Sequence, residues 1–284
     1  VCSSDLQLAL RQCQKQPVKY ITLQIILSLT SVIFTIAALE LFSEDLVAYR
    51  ILAIVVANAL TFFIASVVLG DLFSIKNRIT IQRLKLSALY IFSFGIPLIL
   101  HQSSFFIKGQ LDRLFIYEQY TKTELGIYSA GVQVATVLPI VLMALNKAIV
   151  PYYYQGLKEK KLTIQSIKKY TLFCLALCII PAFIGYVLPK SVYVWFLSER
   201  YADSKYYVVM YLLGYGANLP YLMLVNYLFF HAKNKLIASV TFISSIFYVV
   251  LMVVLGQYSI EYIPYALILS NMLMVFILWL LVNK

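Results

Sequence analysis

LSALYIFSFGIPLILHQSSFFIKGQLDRLFIY, residues 86–117, decides what kind of protein this is. The stretch is longer than the about 20 apolar residues that carry a helix across about 30 Å of hydrocarbon. It nevertheless holds His101, Lys108, Asp112 and Arg113, and returns to Leu114-Phe115-Ile116-Tyr117 beyond the charges. A helix ending at the membrane surface has no reason to resume an apolar run, so the charges are expected within the span. At about 100° per residue, His101, Ser104, Lys108 and Asp112 fall in an arc of about 80° and form one polar stripe. Lys108 and Asp112 are four residues apart, a spacing that allows an ion pair. Arg113 points about 100° away from Asp112, toward a second partner. The alternative ends the helix near Ile107 and leaves all three charges solvated in an outer loop. Since a charge at the bilayer centre costs about 2.5–3.5 kcal/mol, a stripe inside the span is expected to face a protein interior or a water-filled pathway.

Seven further apolar runs accompany this one. Together the eight are 19–42, 46–69, 86–117, 126–150, 170–188, 206–230, 236–256 and 262–282. Barrel strands would be about 10 residues long and strictly alternating, so these runs predict helices. Composition agrees: 62% of the residues are hydrophobic and 12% charged, against about 45–50% and about 25% in soluble domains. The fold class is therefore all-α, a polytopic integral membrane protein with eight transmembrane helices. Disorder is excluded by hydrophobicity, and four cysteines are too few for a disulfide scaffold. Cys2 and Cys13 lie in a polar leader; Cys174 and Cys178, one turn apart in an apolar run without nearby ligands, read as small buried residues. The chain opens on Val1 and a glutamine-rich stretch rather than on a basic segment and short apolar core. That is no signal peptide, and the sequence reads as a fragment lacking its N-terminal part.

Charge placement sets topology. With eight crossings, one side collects Arg11, Lys15, Lys19, the loop Lys76-Arg78-Arg83-Lys85, Lys147, the lysines of 151–170, Lys233, Lys235 and Lys284. Sixteen of the 23 basic residues fall there, but only three acidic ones, Asp5, Asp71 and Glu159. By the positive-inside rule that side is cytoplasmic, termini included. The net charge of +11 is thus topological, and no nucleic-acid partner is expected. Segment 151–170, with Tyr152, Tyr153 and Tyr154 followed by lysines among Ile164 and Ile167, is expected to lie as a basic amphipathic segment on the inner leaflet, in contact with membrane lipids. The twenty-three tyrosines are expected in interfacial belts and are assigned no chemistry.

The fourth run contributes Gln133, Asn146 and Lys147, with Pro139 expected to kink it. Gln133 and Lys147 lie within about 40° on an ideal helix, although Lys147 is close enough to the end to snorkel. Gly214, Gly216, Asn218 and Pro220 are expected to break the sixth run, as backbone lining a cavity or packed on a neighbour does. Asn58 and Asn226 are amides suited to interhelical contacts. No catalytic or metal-binding motif is present, the two histidines are far apart, and no cofactor is called for. The loops are too short for a soluble catalytic domain.

Phe94-Gly95-Ile96-Pro97-Leu98, then Leu111-Asp112-Arg113-Leu114-Phe115-Ile116 and Leu125-Gly126-Ile127-Tyr128-Ser129-Ala130-Gly131, resemble the polysaccharide flippases of the multidrug/oligosaccharidyl-lipid/polysaccharide exporter superfamily. Asn146 to Pro151 looks like the end of that family's eighth helix, with Lys147 where a neutral amide is usual. The resemblance implies twelve or more helices in two lobes around a lumen. Residues 1–85 would then hold a cytoplasmic leader and the last two helices of the N-terminal lobe, and 86–284 the six-helix C-terminal lobe. It further implies a transporter in the bacterial inner membrane that passes a lipid-linked oligosaccharide, of undecaprenyl-diphosphate type, from the inner to the outer leaflet. A coupling cation or proton belongs to that picture. The implied pathway residues are Lys108, Arg113 and Lys147 for the anionic headgroup, Asp112 to hold a basic neighbour or couple to an ion, and His101, Gln133 and Asn146 along the way. Two alternatives are a drug or cation antiporter of the same superfamily, expected to have a more acidic lumen, and a membrane-embedded polysaccharide polymerase, expected to carry a large outward loop.

Overall fold

A computed structural model describes residues 8, 16–42, 45–69 and 81–282. Arg11, Lys15, Lys76, Arg78, Lys284, Asp5, Asp71, Cys2 and Cys13 lie outside the described residues. The chain divides into two compact units, Val1–Leu84 and Lys85–Lys284.

In the first unit, α1 (Pro17–Leu41) packs on α2 (Leu46–Leu69). Among the described side chains of α2, the buried ones are Ala53, Ala57 and Thr61, spaced by four. Small residues at this interval let two backbones approach closely, which drives helix pairing where no hydrophobic effect operates. Thr30 and Thr61 meet hydroxyl to hydroxyl at 3.4 Å across that seam. The large side chains, among them Ile33, Ile51 and Phe63, are exposed, as suits a surface solvated by lipid.

The second unit opens with α3 (Ile81–Gln119), a single helix that runs through Pro97 and past every charge of the diagnostic stretch. The alternative of a helix ending near Ile107 is thereby removed. Next come α4 (Lys122–Ala135) and α5 (Val137–Lys158), then α6 (Ile164–Leu177) and α7 (Ile179–Val187). A short α8 (Lys190–Leu197) and a 3₁₀ turn (Glu199–Ser204) lead to α9 (Lys205–Gly216) and α10 (Asn218–Phe230). The chain finishes with α11 (Asn234–Gly256) and α12 (Ile263–Leu281).

Three spans break in mid-course at one residue each: Thr136, Cys178 and Ala217. Each break precedes a proline by three positions: Pro139, Pro181 and Pro220. A proline has no N–H for the carbonyl four residues back, which leaves those of Ala135, Leu177 and Gly216 without their helical donor. Two of the breaks touch, since a Cβ on Gly216 would collide with the carbonyl of Cys178. Gly216 is therefore required for close packing.

Among the described residues, seven helices are long and apolar enough to cross a membrane: Val18–Leu41, Leu84–Gln119, Lys122–Lys158, Ile164–Val187, Glu199–Phe230, Asn234–Gly256 and Ile260–Leu281. The expected eighth span, α2, contributes the shorter apolar stretch Ala48–Ile64 among the described residues. Segment 151–170 is not the surface-lying segment expected. Residues 151–158 continue α5, α6 begins at Ile164, and a five-residue turn joins them, with Lys160 at φ 57°. Tyr153 turns inward and donates to the Met223 carbonyl at 2.8 Å, which fixes the α5 end to the bundle. Lys161 and Gln155 donate to Glu159 and hold its carboxyl below the usual carboxylate range.

The interior of the second unit has two apolar clusters. One gathers Ile167, Leu224, Leu228, Ile237 and Met274; the other Ile116, Val132, Met252, Ile263 and Leu267. Along α11 and α12, Ser244, Ser270 and Asn271 fall between the two sets, and Lys108 falls at the corresponding depth of α3.

Candidate functional site

A helix with polar residues on one face must find polar partners for them inside a low-dielectric bundle, because an unsatisfied polar group there is expensive. The face of α3 made by His101, Ser104, Lys108 and Asp112 is buried, Lys108 to 4% exposure and Asp112 to 0%. The stripe expected from helical spacing is thus real, and it faces the protein interior.

The expected Lys108–Asp112 ion pair is absent among the described residues; the two charges turn to different helices. The Lys108 ammonium donates to Ser244 Oγ at 2.7 Å and to Asn271 Oδ1 at 2.9 Å. Ser244 Oγ donates in turn to the Ser270 carbonyl at 2.5 Å, and Asn271 Nδ2 donates to the Gly214 carbonyl at 3.0 Å. One side chain of α3 thereby ties together α11, α12 and α9. Its contacts are all to neutral groups.

Asp112 accepts from the Tyr128 and Tyr211 hydroxyls, each at 2.6 Å on Oδ2, and from the Arg113 backbone N–H at 2.8 Å on Oδ1. The two phenol oxygens also contact each other. Tyr248 lies fully buried in the same cluster, with a hydroxyl that has no hydrogen-bond partner among the described residues. These tyrosines correct the expectation that the residue type serves only at interfaces. Tyr128 and Tyr248 are the lone tyrosines of α4 and α11, but Tyr211 stands between Tyr207 and Tyr215 at steps of four on α9, a one-face row that could have marked it. Ser244 was missed although Thr241, Ser245 and Tyr248 share its face of α11, and Asn271 although Ser270 stands beside it on α12.

His101 is held at Nδ1 by Thr241 Oγ1, 3.2 Å away, and at Nε2 by the Tyr221 hydroxyl at 3.3 Å. Thr241 spends its own proton on the Ile237 carbonyl at 2.9 Å. Nδ1 therefore carries the hydrogen and Nε2 accepts, as a neutral ring requires.

Arg113 departs from the buried face. It is half-buried, its Nη1 donates to Gln110 Oε1 at 3.1 Å, and its Nε is enclosed without a partner among the described residues. Gln102, Phe106, Gln110 and Tyr117 are exposed around it, so α3 carries a second polar face roughly opposite the first. Gln133 and Lys147 are both exposed, but the break at Thr136 separates them, so the angle expected from one straight helix does not apply. Asn146 is half-buried and accepts from Asn226 Nδ2 at 2.7 Å. Among the described residues no group of three or more His, Cys, Asp or Glu side chains gathers that could hold a metal.

Comparison with known proteins adds an independent line. A family model described as polysaccharide biosynthesis protein matches residues 8–157, which include α3 and its charges. Protein 1 of the Lsg locus of Haemophilus influenzae is 43% identical over 280 residues, 99% of this chain and 70% of that protein. An uncharacterized membrane protein of the same organism is 36% identical over 266 residues, covering 94% of this chain and 65% of its own length. No solved structure matches the chain.

Proposed function

Because this chain belongs to the polysaccharide biosynthesis protein family, we propose that it is a transporter that moves a lipid-linked oligosaccharide, of undecaprenyl-diphosphate type, from the inner to the outer leaflet for cell-surface polysaccharide synthesis. The supporting observation is the helix α3. It carries basic groups on two faces of a helix long and apolar enough to cross a membrane, Lys108 within the bundle among neutral donors and acceptors, Arg113 beside exposed Gln110. A guanidinium does not remain against hydrocarbon without water or a polar partner, and a wet path lined by Arg113, Gln110 and Gln102 provides both. A diphosphate crossing low dielectric needs the same thing in reverse, a cation to accompany it.

In this reading Arg113 meets the anionic headgroup. Lys108 sets the positive potential from behind, and Asp112 fixes the register of α3 against α4 and α9 through its tyrosines. Gln133 and Lys147 extend the polar path along the α4–α5 span, while His101 and Asn146 hold neighbouring helices. The membrane is the bacterial inner membrane, with the lysine-rich α5–α6 turn on the cytoplasmic side. In this account the protein is a transporter rather than an enzyme. A chromosomal deletion tests the proposal. It should abolish surface polysaccharide while glycosylated carrier lipid accumulates, inaccessible to a glycosidase added outside the cell. Loss of the glycosylated lipid itself would instead make the protein part of glycan assembly.

A further inference from the structure

At one end of the second unit an apolar groove of about 440 Å³ lies outside the α3 site. Its walls come from four places in the chain. Val137 and Val141 stand just beyond the Thr136 break, Ile184 is on α7, Phe196 on α8, and Val208 and Leu212 on α9. The floor is tightly built: a Cβ on Gly185 would come within 2.9 Å of Leu212, and Tyr193 donates to the Gly185 carbonyl at 2.6 Å.

The mouth of the groove differs from its walls. Residues 188–198 join two spans and Lys205 is the first residue of α9, so this end lies at a membrane face. There α8 presents Trp195 at 84% exposure beside Phe196, an aromatic pair of the kind that settles at headgroup level. Leu188, itself a wall residue, gives its carbonyl to the Lys205 ammonium at 2.7 Å, which fixes that charge to the rim. Lys205 also lies over the rings of Tyr186 and Tyr193, at 5.7 and 5.9 Å. No carboxylate lies within ion-pair distance of it among the described residues; the nearby Asp203 is engaged by Lys190 at 2.9 Å.

We infer that this groove holds a resident anionic phospholipid, one acyl chain along the apolar walls and its phosphate at Lys205. Charge complementarity selects the occupant: an apolar slot alone would take any lipid, whereas an ammonium fixed at its rim without a carboxylate favours a net-negative headgroup. The site is independent of the transport reading, since it uses no residue of the α3 cluster.

The test is to place the full-length protein in nanodiscs of equal parts phosphatidylglycerol and phosphatidylethanolamine, release it, and count retained lipid by native mass spectrometry. One phosphatidylglycerol should remain on the wild type. Lys205→Gln should lower its retention about fivefold, the scale of one lysine acting on an anionic lipid, and Lys205→Arg should keep it. Val141→Trp, which fills the slot from a position exposed to lipid, should release the lipid without changing the melting temperature. Equal retention by wild type, Lys205→Gln and Val141→Trp overturns the proposal, as does equal retention of phosphatidylethanolamine. Displacement by equimolar undecaprenyl phosphate also overturns it, by assigning the groove to a polyprenyl carrier.

Discussion

Lys108 and Asp112 are one turn apart on α3, yet each is satisfied by helices far away in the chain. Asp112→Ala would leave the Tyr128 and Tyr211 hydroxyls without their shared acceptor, and should cost about 1–3 kcal/mol. Tyr211→Phe removes the donation to Asp112 and the contact with Tyr128, and should cost about 0.6 kcal/mol and at most about 1.7 kcal/mol, the mean and maximum for hydrogen bonds between membrane helices. Thermal unfolding in detergent would rank the two; equal melting temperatures for Asp112→Ala and wild type would show that the cluster does not hold α3. Lys108→Met keeps the length of the side chain and removes a buried ammonium, but leaves Asn271 Oδ1 without its donor, a cost of about 1–3 kcal/mol partly offset by no longer burying a charge. It should fold. The stripe was legible in the sequence because the 100° step relates residues of one helix to each other. The partners were not, because Ser244 and Asn271 are 136 and 163 residues from Lys108, and no periodicity within a single helix reports which face of another it meets. Hence the expected i, i+4 pair gave way to two separate sets of contacts.

Among the elements, the three proline-linked breaks place the bends. Proline is a strong local signal, so Pro139 and Pro220 foretold theirs, but Pro97 sits inside an uninterrupted α3 and shows that the neighbours of a proline decide the outcome. What could not be read was the meeting of two breaks at Gly216 and Cys178. Gly216→Ala should lower the melting temperature, by overpacking of about 1–3 kcal/mol. Gly95→Ala, where an added Cβ meets nothing within 4 Å, should not lower it, because alanine is the better helix former. A result in which both variants melt alike would remove the crossing of α7 and α9 as a packing constraint. Likewise, the basic stretch after Pro151 has the composition of a surface segment, yet Tyr153 and the five-residue turn make it a tight corner between spans. Lysine content reported the membrane side, not the local geometry.

For the whole molecule, membrane class, helical architecture and family were all readable, because apolar runs of spanning length admit few other folds. The orientation drawn from the lysines is open to a direct check. A reporter fused after Lys161 should remain cytoplasmic, and one inserted after Asp203 should be exported; the opposite pattern would invert the transport direction proposed. The chain spans 70% and 65% of its two Haemophilus influenzae relatives, so function belongs to assays of the full-length protein. The most direct of these reconstitutes it in vesicles with a fluorescent undecaprenyl-diphosphate oligosaccharide and follows loss of signal to a quencher outside. Wild type should move the lipid, while Lys108→Met and Arg113→Ala, recovered folded and in equal amount, should lose most of that movement and Arg113→Lys retain part of it. Unchanged movement in both charge-removing variants would contradict the claim that cationic groups at membrane depth carry the headgroup across.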